Sequence, residues 1–298
     1  MLQSDTLAPF LFIIALDYAL RETTEDQKLG FTFEERQSSR TPAIHLTDLD
    51  FADDLALISD YIAHAQLLLE KLEIAGQSIG LHINNKKTEY MRFNQAEQNI
   101  VTLEGKSLKQ VNDFKYLGSW IAKSKKDIDV RIGMAWKALN KMEKVWKSGL
   151  HRLLKVQFFR ATVESVLLYG AESWTLTKVM TRRLDGTYTR MLRVVLGFKW
   201  SEHKTNKKLY GDLKSVSDVL LERRLRFAGH IWRRKEEIVS QTLFWEPRRG
   251  SRKRGRPSIT YIDQLRRDTG LNTDELKSSM SNRDDWKRLI HDVRGNSN

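Results

Sequence analysis

The hydrophobic period of this chain changes near residue 123, and that change limits the folds open to it. Before it, short apolar runs of strand length alternate with helical patterns. Leu7 to Arg21 has helical spacing with Pro9 in its first turn, where a missing N–H costs nothing. Phe31 to Phe33, Ala43 to Phe51 and Leu55 to Ser59 read as strands, and Tyr61 to Ile79 as a helix with Leu68, Leu72, Ala75 and Ile79 on one face. Leu81 to Ile83, Glu89 to Phe93, Val101 to Leu103 and Phe114 to Ile121 are further short strands between turn residues. After residue 123 every pattern is helical. Ile132, Trp136, Leu139, Met142 and Trp146 recur at i+3/i+4 up to Gly149, and runs follow at 153–169, 182–196, 204–210, 216–234, 238–245, 259–268 and 283–293. A front of mixed α+β type is thus joined to an all-helical rear, with no repeat at a fixed period.

Charge divides at the same place. Residues 1–120 hold 11 Lys and Arg against 18 Asp and Glu, whereas residues 121–298 hold 40 against 20. The rear therefore expects a polyanion, with nucleic acid the leading partner over a merely solvated basic surface. No residue is cysteine, which excludes disulfides, thiolate zinc sites and a cysteine nucleophile. The seven histidines are scattered without ligand spacing. The apolar run Pro9 to Leu16 is far short of the roughly 20 residues a membrane helix needs. It also lacks the preceding cation of a signal peptide. The expectation is a soluble intracellular protein, nuclear or cytoplasmic, with no membrane partner.

The sharpest local feature is Asp50-Phe51-Ala52-Asp53-Asp54-Leu55. It predicts a β-hairpin with adjacent carboxylates at its tip, which repel one another unless a cation lies between them. Magnesium, a hard ion held by carboxylates and substrate phosphates, is the natural partner. Ala52 is small enough to let a substrate approach the backbone. An Asp pair in a turn is by itself more often a solvated turn.

A second feature is the loop Arg248 to Pro257, with Arg248, Arg249, Arg252, Lys253, Arg254 and Arg256 within ten residues. Three readings stay open for it: phosphate contact without sequence preference, insertion of Arg-Gly-Arg-Pro into a minor groove, and a nuclear-import patch. Trp136, Trp146, Trp174 and Trp232 fall on apolar helical faces and are expected to pack in cores rather than stack on bases. His230 is expected to be a satisfied structural residue, and His82 and His203 surface residues.

Taken in order, Gln3-Ser4-Asp5-Thr6-Leu7-Ala8-Pro9, Phe51-Ala52-Asp53-Asp54, Gly80-Leu81-His82-Ile83-Asn84-Asn85-Lys86-Lys87-Thr88 and Phe114-Lys115-Tyr116-Leu117-Gly118 resemble the reverse transcriptases of non-LTR (LINE-type) retrotransposons. Leu167 to Trp174, Arg226 to His230 and Arg254 to Pro257 resemble the thumb and post-thumb segments of the same elements. The resemblance implies an α+β partial palm over 1–122, a small antiparallel sheet with helices. A helical thumb over 123–200 and a basic helical nucleic-acid-binding region over 201–298 follow. It implies that Asp53 and Asp54 are the catalytic, metal-ligating pair, and that Phe51 and Ala52 lie beneath the incoming nucleotide. Gln3 would touch the templating pair, Lys87 the nucleotide's phosphates, and Leu117 and Gly118 would form the primer grip.

The implied activity is RNA-directed DNA synthesis with magnesium, deoxynucleotides, an RNA template and a DNA primer or target. Ser4 stands where the family has glycine, and Ala8 where it has serine. Met1 lies just ahead of Gln3, so the earlier palm strand with its carboxylate, and the fingers, are expected to be missing. Two magnesium ions need more ligands than one two-Asp hairpin supplies. The expectation is a truncated polymerase that binds nucleic acid with little activity alone; the alternative is a non-catalytic DNA- or RNA-binding module.

Overall fold

The computed structural model describes residues 7–24, 27–36, 38, 40, 42–93, 100, 102, 105–121, 124–211, 213–235, 237–246 and 259–295. The chain divides into two compact units, Met1–Ala122 and Lys123–Asn298.

In the first unit, helices α1 (Ala8–Thr24) and α2 (Ile62–Ser78) pack on each other. Leu16, Leu20 and Leu72 are buried between them, with Leu55, Leu57 and Leu81 against that cluster. A second cluster gathers Leu69, Tyr90, Ile100 and Leu108. Four two-stranded ladders lie around these helices. β1 (Phe31–Glu34) pairs with β2 (Ile44–Leu46), and β3 (Asp48–Phe51) with β4 (Asp54–Leu57), both antiparallel. β5 (Glu89–Met91) and β6 (Lys109–Val111) pair in parallel. β7 (Lys115–Tyr116) and β8 (Ser119–Trp120) form a short antiparallel hairpin.

The sequence predicts one small antiparallel sheet; among the described residues there are instead four separate ladders, one of them parallel. The expected strand 43–51 is divided at Thr47, where the chain changes partner from β1 to β4. The Thr47 carbonyl accepts from Ile58 N at 2.7 Å and its hydroxyl donates to Asp48 Oδ1 at 2.5 Å. The expected strand Leu81–Ile83 is irregular because it closes α2. Gly80 has φ +78°, Gly80 N donates to the Gln77 carbonyl, and Leu81 N reaches back to Gly76 O at 2.8 Å. That pair of bonds is a Schellman cap, and it turns Leu81 and Ile83 into the core. Val101 and Leu103 lie outside the described residues.

The second unit is helical throughout its described residues. α3 (Ser124–Lys141) and α4 (Glu143–Lys147) lead to α5 (Arg152–Phe159), which runs through a π-helical turn, Arg160–Glu164, into α6 (Ser165–Leu167). Then come α7 (Lys178–Val195), α8 (Asn206–Tyr210), α9 (Val216–Trp232) and α10 (Ile238–Thr242). The last three are α11 (Tyr261–Thr269), α12 (Thr273–Ser281) and α13 (Arg283–Gly295).

Two apolar cores form. One is built on α3, α5 to α7 and the start of α9, with Phe159, Leu167, Leu168, Leu184, Met191 and Leu192 sealed from water. The other is built on the rest of α9 with α10 to α13, around Leu225, Ala228, Leu265, Leu276, Met280 and Trp286. Helix α9 belongs to both, since Val216 and Leu220 enter the first core and Leu225 and Ala228 the second. At ~1.5–3 kcal/mol for each fully buried side chain of this size, the two cores are the main source of the unit's stability. Trp146 and Trp174 are buried in the first core, and Trp136 and Trp232 pack against the first and second. All four thus pack in cores as expected, although Trp174 does so from extended backbone after a short 3-10 turn rather than from a helical face.

Candidate active site and nucleic-acid interface

The β3–β4 register places Asp48 opposite Leu57, Leu49 opposite Ala56, Asp50 opposite Leu55 and Phe51 opposite Asp54. Ala52 and Asp53 are left as a two-residue turn. Such turns fit the twist of their strands only with a left-handed residue at the first or both central positions. Ala52 takes that role at φ +55°, although a side chain in this region costs ~1–2 kcal/mol. The turn holds Phe51, Asp53 and Asp54 out into solvent. Residues directly opposite share a face. Asp48 and Asp50 therefore lie on the face of Leu55 and Leu57, and Asp54 lies with Phe51 on the other.

The second hairpin, β7–β8, turns through Leu117 (φ +47°) and Gly118 (φ +81°), both left-handed as a type I′ turn requires. Tyr116 joins the two hairpins. Its hydroxyl lies 3.0 Å from the Leu49 carbonyl oxygen and 3.4 Å from that of Asp54. Burial, and then the nearby Asp50, Asp54 and Asp48 carboxylates, raise the Tyr116 hydroxyl above its ordinary pKa. This bridge is the feature of the hairpin pair that sequence reasoning missed. The residue is visible in the Lys115-Tyr116-Leu117-Gly118 run, but its partners lie more than 60 positions away.

Lys87 is exposed on a loop built by Asn84, whose side-chain oxygen accepts from Lys86 N at 3.1 Å and Lys87 N at 3.3 Å. Among the described residues no salt bridge joins Lys87 to Asp53 or Asp54. Gln3 lies outside the described residues, as do Arg248, Arg249, Arg252, Lys253, Arg254 and Arg256. The structure thus gathers Phe51, Ala52, Asp53 and Asp54 at one hairpin tip, and Tyr116, next to the Leu117-Gly118 turn, reaches the backbone of that hairpin's strands.

Among the described residues no group of three or more carboxylate or imidazole side chains is arranged to hold a metal ion. The division of the aspartates between two strand faces accounts for this. Two adjacent exposed carboxylates still match the way magnesium is usually held, by one or two carboxylates with water and substrate phosphates making up the rest. The donor set fits one such ion, and the residues that would hold it are Asp53 and Asp54.

The two motifs of the rear are structural where they are described. In Leu167 to Trp174, both leucines are buried, Gly170 turns with φ +69°, and Trp174 Nε1 donates to Asp127 Oδ2 at 2.8 Å inside the core. Arg223 donates to the Leu168 carbonyl at 3.1 Å and stands 3.8 Å from Glu172. Glu164, in the π-helical turn, accepts from the buried Tyr188 hydroxyl at 2.6 Å. Burial first, and then Glu164, drive that hydroxyl far above the ordinary tyrosine range. In Arg226 to His230 the glycine decides the geometry. A Cβ on Gly229 would lie 2.4 Å from Trp286 Nε1, and that indole donates to the Leu225 carbonyl at 2.8 Å. His230 is exposed rather than enclosed as a structural histidine, because it points off α9 away from the Gly229 face; His82 and His203 are exposed as expected.

Residues 2–121 match the family model for reverse transcriptase (RNA-dependent DNA polymerase), a span that nearly coincides with the first compact unit. The chain is also similar to an uncharacterized transposon-derived protein of Caenorhabditis elegans. The two are 29% identical over 238 residues, covering 75% of this chain and 85% of the relative. No solved structure matches the chain. The front unit is thus similar to reverse transcriptases, within a chain similar to a transposon-derived protein. No helix among the described residues is long and apolar enough to cross a membrane.

Proposed function

We propose that this chain carries palm, thumb and post-thumb segments of a non-LTR, LINE-type retrotransposon reverse transcriptase. In this reading it binds an RNA template with a DNA primer or target, in the nucleus or cytoplasm, and has little polymerase activity alone. The observation that carries the reading is the Phe51-Ala52-Asp53-Asp54 tip. Its strained Ala52 turn presents two carboxylates to solvent inside the segment that matches the reverse-transcriptase family.

Magnesium held there would supply activation of the primer hydroxyl and stabilisation of the leaving pyrophosphate. Asp53 and Asp54 provide the ligating oxygens, and Phe51 and Ala52 an apolar shelf beneath the nucleotide. Lys87 offsets triphosphate charge. Gln3 contacts the templating pair, and the Leu117-Gly118 turn supports the primer, with Tyr116 as a positioning residue. Weak activity follows from the ligand shortage. A missing metal bridge removes several kcal/mol of transition-state stabilisation, and each ~1.4 kcal/mol is tenfold in rate.

Primer extension by the full chain on an RNA template with magnesium and deoxynucleotides tests this. Trace extension is expected, abolished in Asp53→Ala, with binding of the RNA–DNA hybrid unchanged by that substitution. Robust extension by the chain alone would overturn the low-activity claim, and failure to bind the hybrid would overturn the reading itself.

A second reading, a non-catalytic DNA- or RNA-binding module derived from such an element, is favoured by the balance of 40 Lys and Arg against 20 Asp and Glu in residues 121–298. It predicts that Arg254→Ala with Arg256→Ala weakens binding while Asp53→Ala has no effect on any activity. Log K should fall against log salt by ~0.7–0.9 per phosphate contacted.

A further inference from the structure

A cavity of about 350 Å³ opens in the second unit between the first turn of α7 and the middle of α11, lined by Leu176, Lys178, Thr181, Arg182, Gln264 and Arg267. Its size is at the low end of small-ligand pockets, which run ~300–1,000 Å³. It is therefore large enough for a sugar–phosphate unit. Three of its six lining residues are cations and none is an acid.

The acids on α11 are already engaged. Asp268 pairs with the buried Arg224 and accepts from Gln264 Nε2 at 2.9 Å. Asp263 caps its own helix by accepting from Thr260 N at 2.9 Å, and stands 3.7 Å from Arg266. Among the described residues Lys178, Arg182 and Arg267 form no salt bridge, and Arg267 reaches Asp263 only as a weaker, longer-range charge. By contrast Arg183, next to Arg182 in sequence, is neutralised by Asp129. Three cations around one cavity repel each other until an anion enters. The N-terminal end of the 18-residue α7 adds its own positive potential. Leu176, buried beneath, gives the cavity an apolar floor against which a sugar can rest.

We infer that this cavity grips a backbone phosphate of a bound nucleic-acid strand through Lys178, Arg182 and Arg267. The inference rests on the nucleic-acid-binding reading and gives it a location. It is distinct from the acidic hairpin and from the arginine-rich loop 248–257. Nucleic acid is favoured over a free anion because the unit that holds the cavity has 40 Lys and Arg against 20 Asp and Glu. A single phosphate does not balance such a surface, whereas a strand does.

The test is a salt series of dissociation constants for the full chain with a short fluorescein-labelled RNA–DNA hybrid. In Lys178→Ala/Arg182→Ala/Arg267→Ala the slope of log K against log salt should shrink by roughly one unit in all, the share of the one phosphate released. Binding at low salt should weaken at least tenfold. Arg182→Lys/Arg267→Lys should keep the wild-type slope. Arg267→Ala alone, at an exposed position, should shrink the slope in the same sense by up to about one unit, which keeps the test available should the triple variant unfold. A wild-type slope in either alanine variant overturns the inference while leaving the nucleic-acid reading intact. A wild-type chain that does not bind the hybrid overturns both.

Discussion

Gly229→Ala is a demanding test of how the second core is built. In an unencumbered helix this change stabilises, since alanine is favoured over glycine by about 1 kcal/mol. Here the added methyl would lie 2.4 Å from Trp286 Nε1, 2.5 Å from Trp286 Cδ1 and 3.0 Å from Arg233 Nη1. Trp286 is 2% exposed and rigidly placed, so its indole cannot swing into water. Any shift lengthens the 2.8 Å bond from Nε1 to the Leu225 carbonyl and strands the buried indole N–H, at ~1–3 kcal/mol. Overpacking adds a further ~1–3 kcal/mol. After the propensity gain is subtracted, the variant should be less stable by ~1–5 kcal/mol. Urea unfolding followed by tryptophan fluorescence and far-UV circular dichroism measures this. Gly229→Ala/Trp286→Leu should recover part of the loss relative to Trp286→Leu alone, because the clash is gone. A Gly229→Ala chain as stable as wild type, or more so, would refute the packing argument.

Three other outcomes follow from named contacts. Ala52→Gly removes a side chain from a left-handed position and should slow amide exchange across the Asp48–Leu57 hairpin, with a net gain of about 0.5–1 kcal/mol after glycine's entropy cost. Tyr116→Phe should lower stability by ~0.5–1 kcal/mol at neutral pH through loss of its bonds to Leu49 and Asp54. The folded chain holds the Tyr116 proton more tightly than the unfolded chain. This contribution is therefore full below the unfolded tyrosine pKa of ~10 and is lost as pH rises past the higher folded value. The gap in urea midpoint between wild type and Tyr116→Phe should close over that range. Tyr188→Phe leaves the buried Glu164 without its hydroxyl donor and should cost ~1–3 kcal/mol, read from the same urea curves.

What the sequence revealed is what is local. Alternation plus a two-residue turn fixes the acidic hairpin, because register in a tight hairpin follows from a few adjacent residues. Caps are equally local, yet helix α12 is absent from the periodic reading although a capping box marks its start. Asn272 accepts from Asp274 N and Glu275 N at 3.0 Å, and Glu275 returns a bond to Asn272 N at 2.8 Å. Its apolar pattern, Leu276 and Met280, is too short to stand out without that capping box. Pairing between distant segments is where the reading departs from the structure. Nothing near Glu89 or Lys109 indicates that β5 and β6 run parallel, nor that Tyr116 spans to Leu49. The Arg226 to His230 motif was legible as a motif, but its reason lies with Trp286, 57 positions on, which the run itself does not mention.

The division of charge between the units separates two properties that a polymerase needs. On the proposed reading, the acidic front unit, with 18 Asp and Glu against 11 Lys and Arg, would meet a nucleotide's phosphates only through bound cations. The rear unit has the opposite balance and would need no metal to hold a strand. Strand affinity should therefore depend steeply on monovalent salt and hardly at all on magnesium or on Asp53. Nucleotide turnover, however slight, should depend on both. The two cores of the rear unit meet on one helix, α9. Damage at Gly229 should accordingly reach strand binding through loss of folded rear unit, while changes at Ala52 or Tyr116 should leave strand binding as it is.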